Sequence, residues 1–157
     1  SCPAPMVVNA TGPARAPVSY APAASDNCPG ATTTSSPVSG SVFAVGDTIV
    51  QCGVIDASGN QGACSFNVHV KGAAEQLADL ITVVNQANIS KAAIKSGLLS
   101  QLTTALAKLQ VNNTTAGCGA LQSFIDLLNA QKGKSISASD ADFLMGEALR
   151  IRAEIGC

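Results

Sequence analysis

Tryptophan is absent, tyrosine occurs once, and aromatic residues make up only 3% of the chain. Surfaces that bind single-stranded nucleic acid stack bases on aromatic side chains, and typical sugar platforms use them in the same way. That scarcity argues against both. Charge is scarce too. Asp, Glu, Lys and Arg together reach 12%, about half of the usual ~25%. Lys+Arg 9 against Asp+Glu 10 leaves a net charge of −1, so there is no electrostatic case for a nucleic-acid or anionic-membrane partner. His69 is the only imidazole, which excludes a multi-histidine metal cluster and leaves one side chain for histidine acid–base work. No stretch approaches the ~18 consecutive apolar residues of a membrane-spanning helix, and no membrane insertion is expected. Phosphate-loop, nucleophile-elbow, zinc-protease and dinucleotide fingerprints are all missing. Neither a cofactor nor an enzymatic activity is expected.

Cysteine, by contrast, is plentiful, with six residues in 157. The closest pair is Cys52 and Cys64, and no C-x-x-C occurs. Zinc sites bring ligands two to four residues apart, so the spacing favours disulfides. Disulfides place the chain in an oxidising compartment, either secreted or at the cell surface. No signal peptide is visible, and a chain that starts Ser1-Cys2 reads as a processed piece of something longer.

Two halves differ in period. All seven prolines lie within the first 37 residues. Val18-Ser19-Tyr20, Thr48–Val54 and Cys64–Val70 alternate apolar and polar residues, the period of half-buried strands. Turn signals at Asp26–Gly30, Ser39-Gly40-Ser41, Val45-Gly46-Asp47 and Asp56–Asn60 separate them. Several short strands so spaced predict an all-β, Ig-like sandwich over residues 1–70. A linker of residues 71–73 follows. Residues 74–157 then take up the helical period, with stripes at Leu77, Leu80, Ile81, Val84; Ile94, Leu98, Leu102, Leu106, Leu109; Cys118, Leu121, Ile125, Leu128; and Leu144, Ala148, Ile151, Ile155. They predict an all-α antiparallel bundle of about four helices. Ser90 reads as an N-cap, as does Ser137 with Asp140 three residues on, and Thr115 is a candidate one helix earlier. Gly117 and Gly133 punctuate the third helix, and Gly156 follows the fourth.

Closure of bridges within each half leaves three pairings of the 15 that six cysteines allow. Cys118 opens the third helix and Cys157 ends the fourth; antiparallel neighbours bring those ends together, which predicts Cys118–Cys157. In the sandwich both Cys52 and Cys64 point inward. A hairpin turning at Ser58 sets them opposite one another, so either they bridge, or Cys64 reaches Cys2 while Cys52 reaches Cys28.

Other candidates have plainer readings beside them. Asp56, Asn60 and Asp26 carry oxygen ligands at one end of the sandwich, a calcium candidate; an EF-hand loop would need Glu where Asn67 stands, and an Asx-supported turn accounts for the same residues. No metal is assigned. Strand alternation turns His69 toward solvent. Asp140 and Asp142, two apart on a helix, do not face each other and suit the helix dipole. Asn9, Asn88, Asn112 and Asn113 begin N-x-[ST] triplets, formal glycosylation acceptors. Residues 1–70 contain no lysine, which excludes an internal Lys–Asn isopeptide crosslink there.

Cys2-Pro3, Ser25-Asp26-Asn27-Cys28, the run Gly40–Thr48, Asp56–Asn60 and Cys64–Val68 together resemble the HYR (hyalin repeat) domain. The resemblance covers nearly all of residues 1–70. It implies an immunoglobulin-like extracellular module associated with adhesion and not with catalysis, and it favours Cys2–Cys64 with Cys28–Cys52. Residues 73–157 resemble the FIMAH domain, a helical module of secreted bacterial proteins, through Leu98–Leu102, Cys118–Ile125, Gly133–Ile136 and Ile151–Cys157. Together they lead us to expect a non-catalytic structural or interaction module of a larger secreted bacterial protein. Its partner would be a protein or glycan surface, copies of itself included, as in a filament. The alternative is an accessory region binding carbohydrate or cell wall for a secreted hydrolase.

Overall fold

Apolar–polar alternation builds two long strands, β5 (Gly46–Ile55) and β6 (Gln61–Lys71), joined by the Asp56–Asn60 turn. The computed structural model describes residues 2–22 and 31–157. Around this hairpin lie β1 (Met6–Asn9), β2 (Arg15–Pro17), β3 (Thr32–Ser36) and β4 (Val42–Ala44). Among the described residues four strands form one sheet in the order β1-β6-β5-β3, with β1 parallel to β6 and the other pairs antiparallel; β2 and β4 form a second, two-stranded sheet. Ala16 and Phe43 of the small sheet share a core with Val50, Phe66, Val68 and Val70 of the large one, so the strands make the expected sandwich.

Val18-Ser19-Tyr20 is not a strand. The ladder is Arg15–Pro17 because its partner β4 begins only at Val42. Beyond it Val18 keeps hydrogen bonds to Ser41 and Gly40 and stays buried, while the Tyr20 ring meets Phe66 edge-on with centroids 5.0 Å apart. β6 runs through Lys71 and the first helix starts at Ala73, so Gly72 alone lies outside both. A Cβ on Gly72 would stand 2.9 Å from Val45 Cγ1; this junction has room only for glycine.

Four helices follow: α1 (Ala73–Gln86), α2 (Ala92–Gln110), α3 (Thr114–Gln131) and α4 (Ala138–Ile155). Each packs on the next, and α1 also packs on α4. The apolar stripes form one core, with Leu77, Leu98, Leu102, Leu121, Phe124, Leu128, Leu144 and Ile151 fully enclosed. Ser137 caps α4, its side chain accepting from the Asp140 N–H at 3.0 Å. Gly156 is left-handed (φ 80°) past the end of α4, and the Cys157 N–H closes the turn on the Arg152 carbonyl.

Three cap expectations are corrected. The residue flanking α2 is Lys91, which gives no side-chain cap, while Ser90 instead donates to the Ser135 carbonyl. Ser90 has been drawn to the α3–α4 loop. For α3 the cap is Asn113, accepting from the Ala116 N–H, and not Thr115, which lies inside the first turn. Gly117 is likewise inside α3, where it lets Leu109 close over the helix: a Cβ there would be 3.0 Å from Leu109 Cδ2.

Candidate functional site

Hairpin register places Cys52 of β5 directly opposite Cys64 of β6. β1 runs parallel to β6 with Met6 beside Val68; four residues back along both chains, Cys2 lies beside Cys64 and is bonded to it, with Cα atoms 5.9 Å apart. Three cysteines therefore stand in a row across three neighbouring segments of the sheet, with Cys64 in the middle. Their sulfur atoms all lie within 4.8 Å of one another. Cys52 is 5% exposed and bridges to no cysteine among the described residues. Cys28 lies outside the described residues. With Cys2 and Cys64 oxidised, the row offers at most one thiolate where a structural zinc takes four ligands. A concavity of about 250 Å³ opens against it, lined by Pro22, Thr33, Val54 and Ala63 besides Cys52 and Cys64.

The opposite face of the large sheet looks outward. Register sets Asp47 and Val7 on either side of His69, and Ile49 beside Asn67. The Asp47 carboxylate accepts from Asn67 Nδ2 at 2.7 Å and pairs with His69 Nδ1 at 3.0 Å. These contacts, Asn67 first and then His69, hold the Asp47 carboxyl below its usual range. Asp47 thus braces His69 against the sheet. Sequence reading passed over Asp47, although the signal was present: a register that sets Cys52 opposite Cys64 also sets Asp47 opposite His69. Val7 and Ile49 are 62% and 63% exposed on the same face.

At the hairpin tip, Asp56 Oδ1 accepts from the Ser58 and Asn60 N–H groups, both at 2.8 Å, and Oδ2 accepts from Asn60 Nδ2 at 2.7 Å. The hydrogen bonds, those of Asn60 foremost, lower the Asp56 pKa. Both carboxylate oxygens are thus engaged in the turn, and a cation would compete with three donors. Asp26, the third calcium candidate, lies outside the described residues.

Among the helices, Asp142 pairs with Lys132 and Asp140 sits at the capped start of α4. Cys118 and Cys157 are bonded across the α3 start and α4 end. Glu154 escaped sequence reading because it lies on the apolar side of α4. It is 5% exposed and accepts from Gln76 Nε2 at 2.8 Å, and Arg150 also donates to Gln76. Burial raises its pKa to about 7 against the opposing hydrogen bonds from Ala73 and Gln76 and the charge of Arg150. Asn9, Asn88, Asn112 and Asn113 are all exposed.

Among the described residues no set of side chains joins a nucleophile, a base and an orienting partner in one cavity. His69 and Asp47 meet on an open sheet face. Among the described residues no helix is long and apolar enough to cross a membrane. No curated protein and no solved structure matches the chain. The strand half is a different matter: it is similar to the HYR domain, an extracellular adhesion-type repeat, whose family model matches residues 2–70.

Proposed function

We propose that the chain is a non-catalytic extracellular interaction module that engages protein surfaces, other copies of itself among them, through the outward face of the β1-β6-β5-β3 sheet. The observation that carries this reading is the pair Val7 and Ile49, both more than 60% exposed on that face, flanking the Asp47–Asn67–His69 cluster. Apolar side chains rimmed by polar ones mark association surfaces. The HYR match over residues 2–70 and the disulfides support an adhesion-type role outside the cell. We read the helical half as a FIMAH-like companion within a larger secreted bacterial protein; its support is the sequence resemblance and the four-helix architecture.

Sedimentation equilibrium over a wide concentration range tests the reading. The native chain is expected to self-associate, and V7S/I49S to remain monomeric with an unchanged circular-dichroism spectrum. A native chain that stays monomeric throughout, or a double variant that associates as before, would defeat it.

A further inference from the structure

We infer that the outward face of α4 docks antiparallel on the same face of a second copy, about a twofold axis at Gly146. Ser139, Gly146 and Ala153 recur every seven residues and are all exposed. Positions seven apart drift only about 20° around a helix, so these small residues form one line along α4. Glycine is the poorest ordinary residue for a helix interior. A Cβ on Gly97 would stand 3.2 Å from Leu127, and one on Gly117 3.0 Å from Leu109, so packing within the bundle accounts for both. A Cβ on Gly146 meets nothing within 4 Å, and the chain's own packing gives no reason for it. Gly119 is as open, but no large apolar residue stands three positions to either side of it. Gly146 has Phe143 and Leu149 at those positions, 56% and 52% exposed.

The charges identify the occupant. Asp142 lies four residues before Gly146 and Arg150 four residues after it. When two α4 helices cross antiparallel at Gly146, each Asp142 comes level with Arg150 of the other copy, and each Phe143 with the other Leu149. A parallel crossing would instead set like charges level. The face is thus complementary to itself, as an isologous contact requires. Asp142 pairs with Lys132 within the chain, yet its side chain is 56% exposed. Arg150 donates to Gln76 and Glu147 through two of its nitrogens. A guanidinium carries five N–H groups, so donors remain for a carboxylate. The small residues let two backbones approach, and Phe143 and Leu149 close over the flanks. A single helix face falls short of the roughly 1,200 Å² that a stable interface buries. The α4 contact therefore adds to an association that the sheet face begins, and in that respect it rests on the sheet-face reading.

Sedimentation equilibrium of G146L, D142R, R150D and V7S/I49S beside the native chain tests the contact, with circular dichroism establishing which variants fold. G146L and D142R are expected to associate about tenfold more weakly than the native chain, the order that loss of a central contact produces. An equimolar mixture of D142R and R150D is expected to regain native association, because both charge contacts of a mixed pair then join opposite signs. G146L leaves every charge in place, so it carries the test if R150D does not fold. Association that is lost in V7S/I49S but unchanged in G146L and D142R overturns the α4 contact and leaves the sheet reading standing. Association lost in G146L and kept in V7S/I49S supports the α4 contact and defeats the sheet reading. A mixture of folded variants that associates no better than either alone overturns the inference. A native chain that stays monomeric overturns both readings.

Discussion

Glu154 shows how much one buried side chain can decide. Its carboxyl titrates near 7 in the folded protein, against an ordinary value of 4.5. Between those values the folded state holds a proton that the unfolded chain has released. Unfolding free energy of the helical unit is therefore expected to fall as pH rises from about 4.5 to 7 and to level off above. At about 1.36 kcal/mol per pKa unit the loss is at most about 3 kcal/mol, and solvent screening reduces it. Denaturant titrations followed at the helical circular-dichroism band check this: the native chain should lose stability across that window, and E154Q, which keeps an acceptor for the Gln76 and Ala73 donors, should show a flat profile. A sloping profile in E154Q would assign the effect elsewhere. Asp56 lies at the other extreme, its charge held by the turn it builds. The motif D-A-S-G-N was readable as that turn from sequence, because every partner of Asp56 lies within four residues. Glu154 was not readable, because its partner Gln76 is 78 residues away.

Among the elements, the strand and helix periods were legible, and the caps only in part. Ser137 caps α4 through an N–H three residues on, a local geometry that sequence spacing encodes. Ser90 has the same chemistry but turns to Ser135, 45 residues away, so its role depends on a loop that only the assembled bundle brings near. S137A and N113A are each expected to lower the stability of the helical unit by about 1 kcal/mol, with S137D close to neutral. S90A should leave the α2 N-terminus unchanged, since no cap is lost there. Backbone hydrogen exchange at the first turns of α2, α3 and α4 separates these outcomes: faster exchange at α2 in S90A would restore the capping role. β2 teaches the same lesson on the sheet side, since alternation marked Val18 and Tyr20 as inward but could not say where the partner strand begins.

For the molecule as a whole, disulfides and two separate cores carry the architecture. The Cys118–Cys157 bridge closes a loop with a sequence separation of 39, which by chain entropy stabilises the fold by about 4 kcal/mol. C118S/C157S is expected to lower the unfolding free energy of the helical unit by that order, read by urea denaturation under non-reducing conditions; a change below about 1 kcal/mol would show the bundle holding those ends together unaided. By itself, the sequence determined the class of each half and the change of period near Lys71, since side-chain alternation and apolar stripes are properties of neighbours along the chain. Only the tertiary structure decided that Cys52 lies in one row with Cys64 and Cys2, that Asp47 braces His69, and that Glu154 is buried against Gln76. Each of those depends on register and helix packing, which bring together residues that sequence distance keeps apart.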